Sequence, residues 1–191
     1  MLTFGNMLAN TEQKIIDAAI QVFNKDLSAS LERVADKAGV TRRTLHRYFK
    51  DRNDLITICE KDMEINCKKA MTVALDSSDD PLLQLEQMLY AGVDCGAKYS
   101  FFHKLHNRDG HNHTEQNVDC ATYDDVFERY NKVIVNLRDK GVISPHITVE
   151  WVNMLFMSVV TATVNGVDFG TVAKKSIKQF AWFSFSKGIG I

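Results

Sequence analysis

The chain has 191 residues, 45% hydrophobic and 25% charged, the proportions of an ordinary soluble globular protein with enough length for one large core or a small domain fused to a larger one. A formal net charge of −1 gives nucleic-acid binding no support by itself, and four scattered cysteines read as thiols rather than as a disulfide framework. No basic-then-apolar leader and no uncharged run of about 18 apolar residues occurs, so no transmembrane helix is expected and a cytoplasmic location is.

The two prolines, Pro81 and Pro145, stand where helices can start, and the composition leans to all-α. In chain order, residues 1–9 read as a loose lead-in and Asn10-Thr11-Glu12-Gln13 as an N-cap, with Gln13 where a capping box closes. Ile15, Ile16, Ala19, Val22 and Phe23 recur at helical spacing and predict a first helix ending near Lys25. Ser30 is the next N-cap candidate, and Leu31, Val34, Ala35 and Ala38 form the buried stripe of a short second helix. Gly39 stands where a left-handed residue ends a helix, Val40 enters the turn, and Thr41 can cap a third helix to about Phe49. Asp51 or Asn53 caps a long fourth helix over 53–75, which residues 76–81 break before a helix beginning at Leu82. That pattern stays helical to His106, with Gly92 and Gly96 as points where it thins or kinks. Residues 107–119 read as a surface loop, 119–140 as a helix, 141–146 as a turn, and 148–165 and 171–187 as two final helices.

Charge is distributed unevenly. From Thr41 to Arg52, five basic residues (Arg42, Arg43, Arg47, Lys50, Arg52) accompany one acidic residue, Asp51, so a near-neutral chain carries a local anion-binding block. The block coincides with two short helices joined by a tight turn. In a helix-turn-helix the second helix enters the major groove while the first braces across the backbone. Ala35 and Ala38 allow the helices close approach, Gly39-Val40 makes the turn, and Leu45 and Phe49 anchor the recognition helix inward. Thr41, Arg42, Arg43, Thr44, His46 and Arg47 are left for DNA. Arg42 and Arg43 are placed to reach base edges, and Thr41, Tyr48, Lys50 and Arg52 to hold phosphates, with Ser30 at the start of the bracing helix also counted among the contacts.

The run Val34-Ala35-x-x-Ala38-Gly39-Val40-Thr41-x-x-Thr44-Leu45-x-x-Tyr48-Phe49-x-x-Arg52-x-x-Leu55 resembles the N-terminal signature of the tetracycline-repressor (TetR) family, with Ile16, Ala19 and Phe23 at matching spacing ahead of it. The likeness covers residues 11–60. Two positions depart from it: His46 stands where members usually carry an aromatic, most often tyrosine, and Arg52 where lysine is usual. Histidine still hydrogen bonds phosphate, more strongly when protonated, and arginine keeps the charge.

The resemblance implies nine helices, an N-terminal helix-turn-helix domain over 1–52 and a larger helical ligand-binding and dimerisation domain over 53–191. It also implies a homodimer on near-palindromic double-stranded DNA with half-sites about 34 Å apart. The fourth helix would link the domains, so that an effector shifting it separates the recognition helices and releases a repressor. Dimerisation is expected through the last two helices, by Trp151, Leu155, Val159 and Ala162 on one and Ile177, Phe180, Ala181 and Ser184 on the other. Trp182, Phe183 and Phe185 leave the last helix apolar almost all round. Candidate lining for an effector pocket is Met63, Cys67, Met88, Tyr99, Phe102, Tyr123, Phe127, Tyr130 and Met154, which favours a hydrophobic or aromatic molecule. The alternatives are a DNA- or protein-binding factor of this fold without ligand control, and a small helical metalloenzyme using His103, His106, His111 and His113. The histidines read as surface residues of a polar stretch, and no nucleophile–base constellation or phosphate-cradling loop is seen, so neither enzyme activity nor a cofactor is expected. Cys59 and Cys67, eight residues apart on one helix, lie about 12 Å apart, beyond the disulfide reach of about 7 Å. Cys95 and Cys120 are unconstrained by spacing, and inert buried thiols are expected.

Overall fold

The computed structural model describes residues 4–98, 100–101 and 118–191. The described residues form eight α-helices: α1 (Phe4–Lys25), α2 (Leu31–Ala38), α3 (Arg42–Tyr48), α4 (Arg52–Leu75), α5 (Pro81–Cys95), α6 (Val118–Asp139), α7 (Val149–Asp168) and α8 (Ile177–Gly188). A 3₁₀ turn over Lys174–Ser176 leads into α8. No described helix is long and apolar enough to cross a membrane.

Capping explains most of the boundaries. Ser30 accepts from the Arg33 amide to open α2, Thr41 from the Thr44 amide to open α3, and Asp80 from the Leu82 amide ahead of Pro81 in α5. Of the two candidate caps for α4, Asp51 is the one used. Its Oδ1 accepts from the Asp54 amide at 3.0 Å while Asp54 Oδ2 accepts from the Lys50 amide at 2.8 Å, a reciprocal pair that seats the whole helix. Thr148 caps α7 in the same way, accepting from the Trp151 amide.

Three boundaries differ from the sequence expectation by more than three residues. The first helix does not wait for a cap at Asn10 but runs back to Phe4. With no proline in that stretch, continuing the helix satisfies the amide donors with backbone carbonyls, where a cap would satisfy one or two. The helix after Pro81 ends at Cys95, because Gly96 adopts φ 52°, ψ −119°, a conformation open essentially to glycine. Helical structure resumes at once over residues 97–98 and 100–101, but in a new direction. The last helix starts at Ile177 rather than 171, since Ala173 is extended and the 3₁₀ turn intervenes.

Two hydrophobic clusters share the molecule, and α4 runs through both. The N-terminal cluster joins Ile15, Ile16, Ala19, Ile20 and Phe23 of α1 to Val34 and Ala35 of α2, Leu45 and Phe49 around α3, and Leu55, Cys59 and Met63 of α4. Phe101 belongs to it as well, its ring stacked on Phe23 at 6.3 Å, so the turn at Gly96 returns the chain to α1. The C-terminal cluster begins at Cys67 and takes in Met71 and Leu75 of α4, Leu85, Met88 and Leu89 of α5, Val126, Tyr130 and Ile134 of α6, Val152, Phe156 and Val160 of α7, and Ala181 and Phe185 of α8. Tyr130, Phe156 and Phe185 run edge-to-face through its centre, with ring centroids 5.2 and 5.8 Å apart.

Candidate nucleic-acid interface

α3 is held by its inner face. Leu45 and Phe49 are fully buried, and α3 is closed by the Phe49 amide donating to the Leu45 carbonyl. α2 ends in a left-handed Gly39 (φ 65°), whose amide bonds the Asp36 carbonyl while the Val40 amide reaches the Ala35 carbonyl. No heavy atom lies within 4 Å of where a Cβ on Gly39 would stand, so backbone conformation and not space requires glycine there. The turn thereby delivers Thr41 one residue later, already shaped as the cap of α3.

The opposite face is polar and open. Thr41, Arg42, Arg43, His46, Arg47 and Lys50 are exposed, and Thr44 and Tyr48 are half-buried. Thr41 Oγ1 and Thr44 Oγ1 lie 2.9 Å apart, so the two hydroxyls bond each other while that of Thr41 also caps the helix. The Arg47 guanidinium sits over the Tyr48 ring at 5.1 Å, which limits its freedom on that surface.

One of the expected contact residues is committed elsewhere. Arg52 turns inward: its Nε donates to the Ala29 carbonyl at 3.4 Å and its guanidinium lies over the Phe23 ring at 4.9 Å. It braces the loop ahead of α2 against α1, a tertiary role that its place in a basic block does not disclose. Ser30 accepts from the Arg33 amide and so caps α2, as Thr41 caps α3, while remaining exposed. Beside it, Asp26 is bonded by the Ser28 hydroxyl and amide and by Arg33, and these donors hold its carboxyl below the usual aspartate value.

A polar tie that the sequence reading did not single out joins this unit to the rest of the chain. Lys98, two residues past Gly96, places Nζ 2.7 Å from Asp62 of α4 and 3.1 Å from Asp17 of α1. Gln13 bridges the same two carboxylates, donating at 3.2 Å to Asp17 and 3.1 Å to Asp62, and Asn66 donates to Asp62 at 3.2 Å. Burial works against the Lys98 charge, but bonds to Asp62 and Asp17 outweigh it and hold the ammonium above the usual lysine value.

Among the described residues, the expected pocket residues are divided between the two clusters and the surface. Met63 lies in the N-terminal cluster, while Cys67, Met88 and Tyr130 pack in the C-terminal one. Phe127 is on the exposed side of α6, and Met154 points outward, because α7 buries Val152, Phe156 and Val160 and turns Met154 away. Tyr99, Phe102, the side chains of Tyr123 and Cys120, and all four histidines His103, His106, His111 and His113 lie outside the described residues. Among the described residues, two adjoining clefts of about 330 and 270 Å³ occur where α1, the turn at Gly96 and the end of α7 meet. They share Gln21, Ala97 and Val164, and add Asn24, Asn165 and Phe169 on one side and Val93, Val167 and Ile177 on the other.

The expected dimer residues divide between two faces. Val159 and Ala181 are buried within the chain's own core, and Leu155 is half-buried where α7 meets Gly188 of α8. Ile177 is half-buried beside Gly166. Ala162 and Ser184 are exposed. The remaining apolar side chains stand out: Trp151 is 53% exposed, Met154 61%, Phe180 55% and Phe183 64%. α8 is therefore apolar on both sides, but only the side carrying Ala181 and Phe185 is covered.

Residues 15–57, spanning α1 from Ile15 to the start of α4, match the family model for bacterial regulatory proteins of the tetR family. The N-terminal domain belongs to the tetR family. Solved structures extend the likeness of fold over nearly the whole chain. The TetR-like transcriptional regulator LfrR from Mycobacterium smegmatis, in complex with proflavine, superimposes with a TM-score of 0.59 at 20% identity, over 95% of this chain and 97% of LfrR. The fatty acid degradation regulator FadR from Bacillus halodurans gives 0.56 at 16% identity, over 94% and 95%. A TetR family transcription regulator from Marinobacter aquaeolei VT8 gives 0.57 at 12% identity, over 94% and 95%. No curated protein matches the chain. The segment over residues 15–57 is that of a bacterial regulatory protein, and behind it the structural matches speak for the all-helical fold alone.

Proposed function

We propose that the protein is a homodimeric repressor that binds a near-palindromic operator through α3 and is released by a small effector with a hydrophobic or aromatic body. The observation that carries the reading is the division of α3 into two faces. Leu45 and Phe49 lock it to the domain, while Arg42, Arg43, His46 and Arg47 stand clear on the other side. Arg42 and Arg43, in the first turn of α3, reach base edges. Thr41, Thr44, Arg47, Tyr48 and Lys50 position the backbone, and His46 contacts phosphate. Domains divide near residue 52, where α4 leaves the helix-turn-helix and enters the second cluster.

Dimerisation uses the uncovered face of α7 and α8, with Trp151, Met154, Phe180 and Phe183 at its centre. Four large side chains more than half exposed on adjacent helices are a liability for a monomer and a normal core for an isologous interface. The effector enters the clefts between α1 and α7. Val93, Val164, Val167, Ile177 and Phe169 offer an apolar body contact, and Gln21, Asn24 and Asn165 offer amides at the rim. The similar LfrR structure holds proflavine, a planar aromatic. One wall of the clefts is α1, so a bound molecule acts directly on the helix that braces α2 and α3.

A mobility-shift assay on DNA flanking the protein's own gene tests the reading. A retarded complex on one fragment, weakened by salt and competed by that fragment but not by scrambled DNA, is expected. Binding that is equal on all fragments, or none, would overturn it.

A further inference from the structure

The two clefts between α1 and α7 share Gln21, Ala97 and Val164, so they are two lobes of one space with Gln21 at their junction. Their combined volume falls within the usual range of small-molecule sites, about 300–1,000 Å³. Phe169 lines one lobe and is nonetheless 76% exposed, which leaves an uncovered aromatic ring at the edge of the space. Gln21 of α1 and Asn165 of α7 bring carboxamides from the two helical walls. Both are exposed, and neither side chain is bonded by a described residue. The buried hydroxyls are engaged already: Ser100 donates to Asn24 Oδ1 at 3.4 Å and Thr163 to the Val160 carbonyl at 2.7 Å.

The charges nearby are also answered. Asp17, one turn before Gln21, holds Lys98 at 3.1 Å, and Asp94, next to Val93, holds Lys178 at 2.6 Å. Lys25, the one charged side chain among the described lining, has a partner of its own. A cation or an anion entering the space therefore gives up its water without finding a free opposite charge.

Given the effector site proposed above, on which this rests, we propose that the space takes an uncharged aromatic molecule whose edge carries a hydrogen-bond donor beside an acceptor, as in a lactam or an amide. A carboxamide side chain matches such an edge, with an oxygen that accepts and an NH₂ that donates. Gln21 is the principal recognition residue because it faces both lobes, and Phe169 stacks on the flat face of the molecule. Ala97 immediately precedes Lys98, and Gln21 follows Asp17 by one turn. Two of the residues that meet the molecule in both lobes thus sit on the elements that the Lys98 tie joins.

Three tricyclic probes that differ in charge test this by equilibrium dialysis against the intact purified chain at neutral pH. They are acridone, an uncharged lactam; 9-aminoacridine, a cation; and acridine-9-carboxylate, an anion. Acridone should bind, and each charged probe should bind at least about tenfold more weakly. Gln21→Leu should weaken acridone binding about threefold to tenfold, the worth of a neutral hydrogen bond. Phe169→Ala should also weaken it, and Val164→Phe, which fills space in both lobes, should abolish it. If a charged probe binds as well as acridone, or if Gln21→Leu leaves acridone unaffected, while Val164→Phe still abolishes binding, the proposal is overturned and the effector site stands. If no probe binds, or if binding survives Val164→Phe, the effector site falls with it. If Phe169→Ala alters sedimentation rather than acridone binding, Phe169 belongs to an interface between copies and the proposal is likewise overturned. Circular dichroism on each variant separates loss of the site from loss of the fold.

Discussion

Replacing Lys98 with methionine probes the connection between the two halves of the molecule. The substitution keeps most of the apolar stem and deletes the ammonium that sits 2.7 Å from Asp62 and 3.1 Å from Asp17. The setting is neither surface nor deep core, with the Lys98 side chain 27% exposed, Asp62 13% and Asp17 45%. At about 3 Å and an effective dielectric near 20, one such pair has about 5 kcal/mol of gross attraction. Desolvation and ordering of the lysine cancel most of it, which leaves a net value between that of exposed pairs and the cost of breaking buried ones. Asp62 would keep Gln13 and Asn66 as donors, while two carboxylates would face each other without their shared cation. Lys98→Met should therefore destabilise the protein by about 1–3 kcal/mol in urea unfolding. A cycle with Asp62→Asn should show a coupling of about 1–2 kcal/mol. Because the folded state raises the Lys98 pKa, its contribution is complete below the ordinary lysine value of about 10.4 and fades as pH rises through the higher folded value. The gap between wild type and Lys98→Met should accordingly be flat from pH 7 to about 9.5 and narrow above it. Additivity of the two substitutions within about 0.5 kcal/mol, or a gap that widens in alkali, would refute the reasoning.

Leu45→Ala removes a fully buried side chain from beneath α3 and should cost about 2–5 kcal/mol, read by thermal unfolding. Gly39→Ala meets no atom within 4 Å but must hold φ 65°, so it should cost about 1–2 kcal/mol from strain alone, and Gly39→Asn less. The wild type should sediment as a dimer in analytical ultracentrifugation, and Phe183→Asp, at a side chain 64% exposed in the single chain, should yield a folded monomer. Iodoacetamide at pH 7.5 should modify Cys95 and spare Cys59, whose thiol burial and the nearby Asp62 push up to about 12.

The helix-turn-helix was legible in the sequence because every signal in it is local. Ser30 caps α2, Gly39 takes the left-handed turn, Thr41 caps α3, and Leu45 and Phe49 fall on one side of a single short helix. What depends on partners distant in the chain was not legible. Arg52 sits in a basic run that suggests phosphate, yet Ala29, 23 residues earlier, takes its bond and Phe23 its guanidinium. The Lys98 tie joins residues 36 apart and forms only because Gly96 redirects the chain. Periodicity marked α7 and α8 as apolar and named their stripes, but it could not divide those stripes between the chain's own core and an outer face. Val159 and Ala181 went inward while Trp151 and Phe180, on the same predicted stripes, stayed out. Met154 illustrates the same limit: a methionine at helical spacing reads as lining, and only the packing of Val152, Phe156 and Val160 shows that it faces away.

The central claim is that the open face of α3, led by Arg42 and Arg43, reads DNA. Fluorescence anisotropy with the fragment retarded in the mobility-shift assay, measured against salt for wild type and for Arg42→Ala/Arg43→Ala, tests it most directly. The account predicts that the double variant keeps the helical circular dichroism and melting temperature of the wild type. It should lose specific affinity by at least about thirtyfold, each arginine contributing about 1–3 kcal/mol of discrimination. Residual binding should be the same for specific and scrambled DNA, with a linear salt dependence from the remaining phosphate contacts. A double variant that still prefers the specific fragment by the wild-type margin would contradict it.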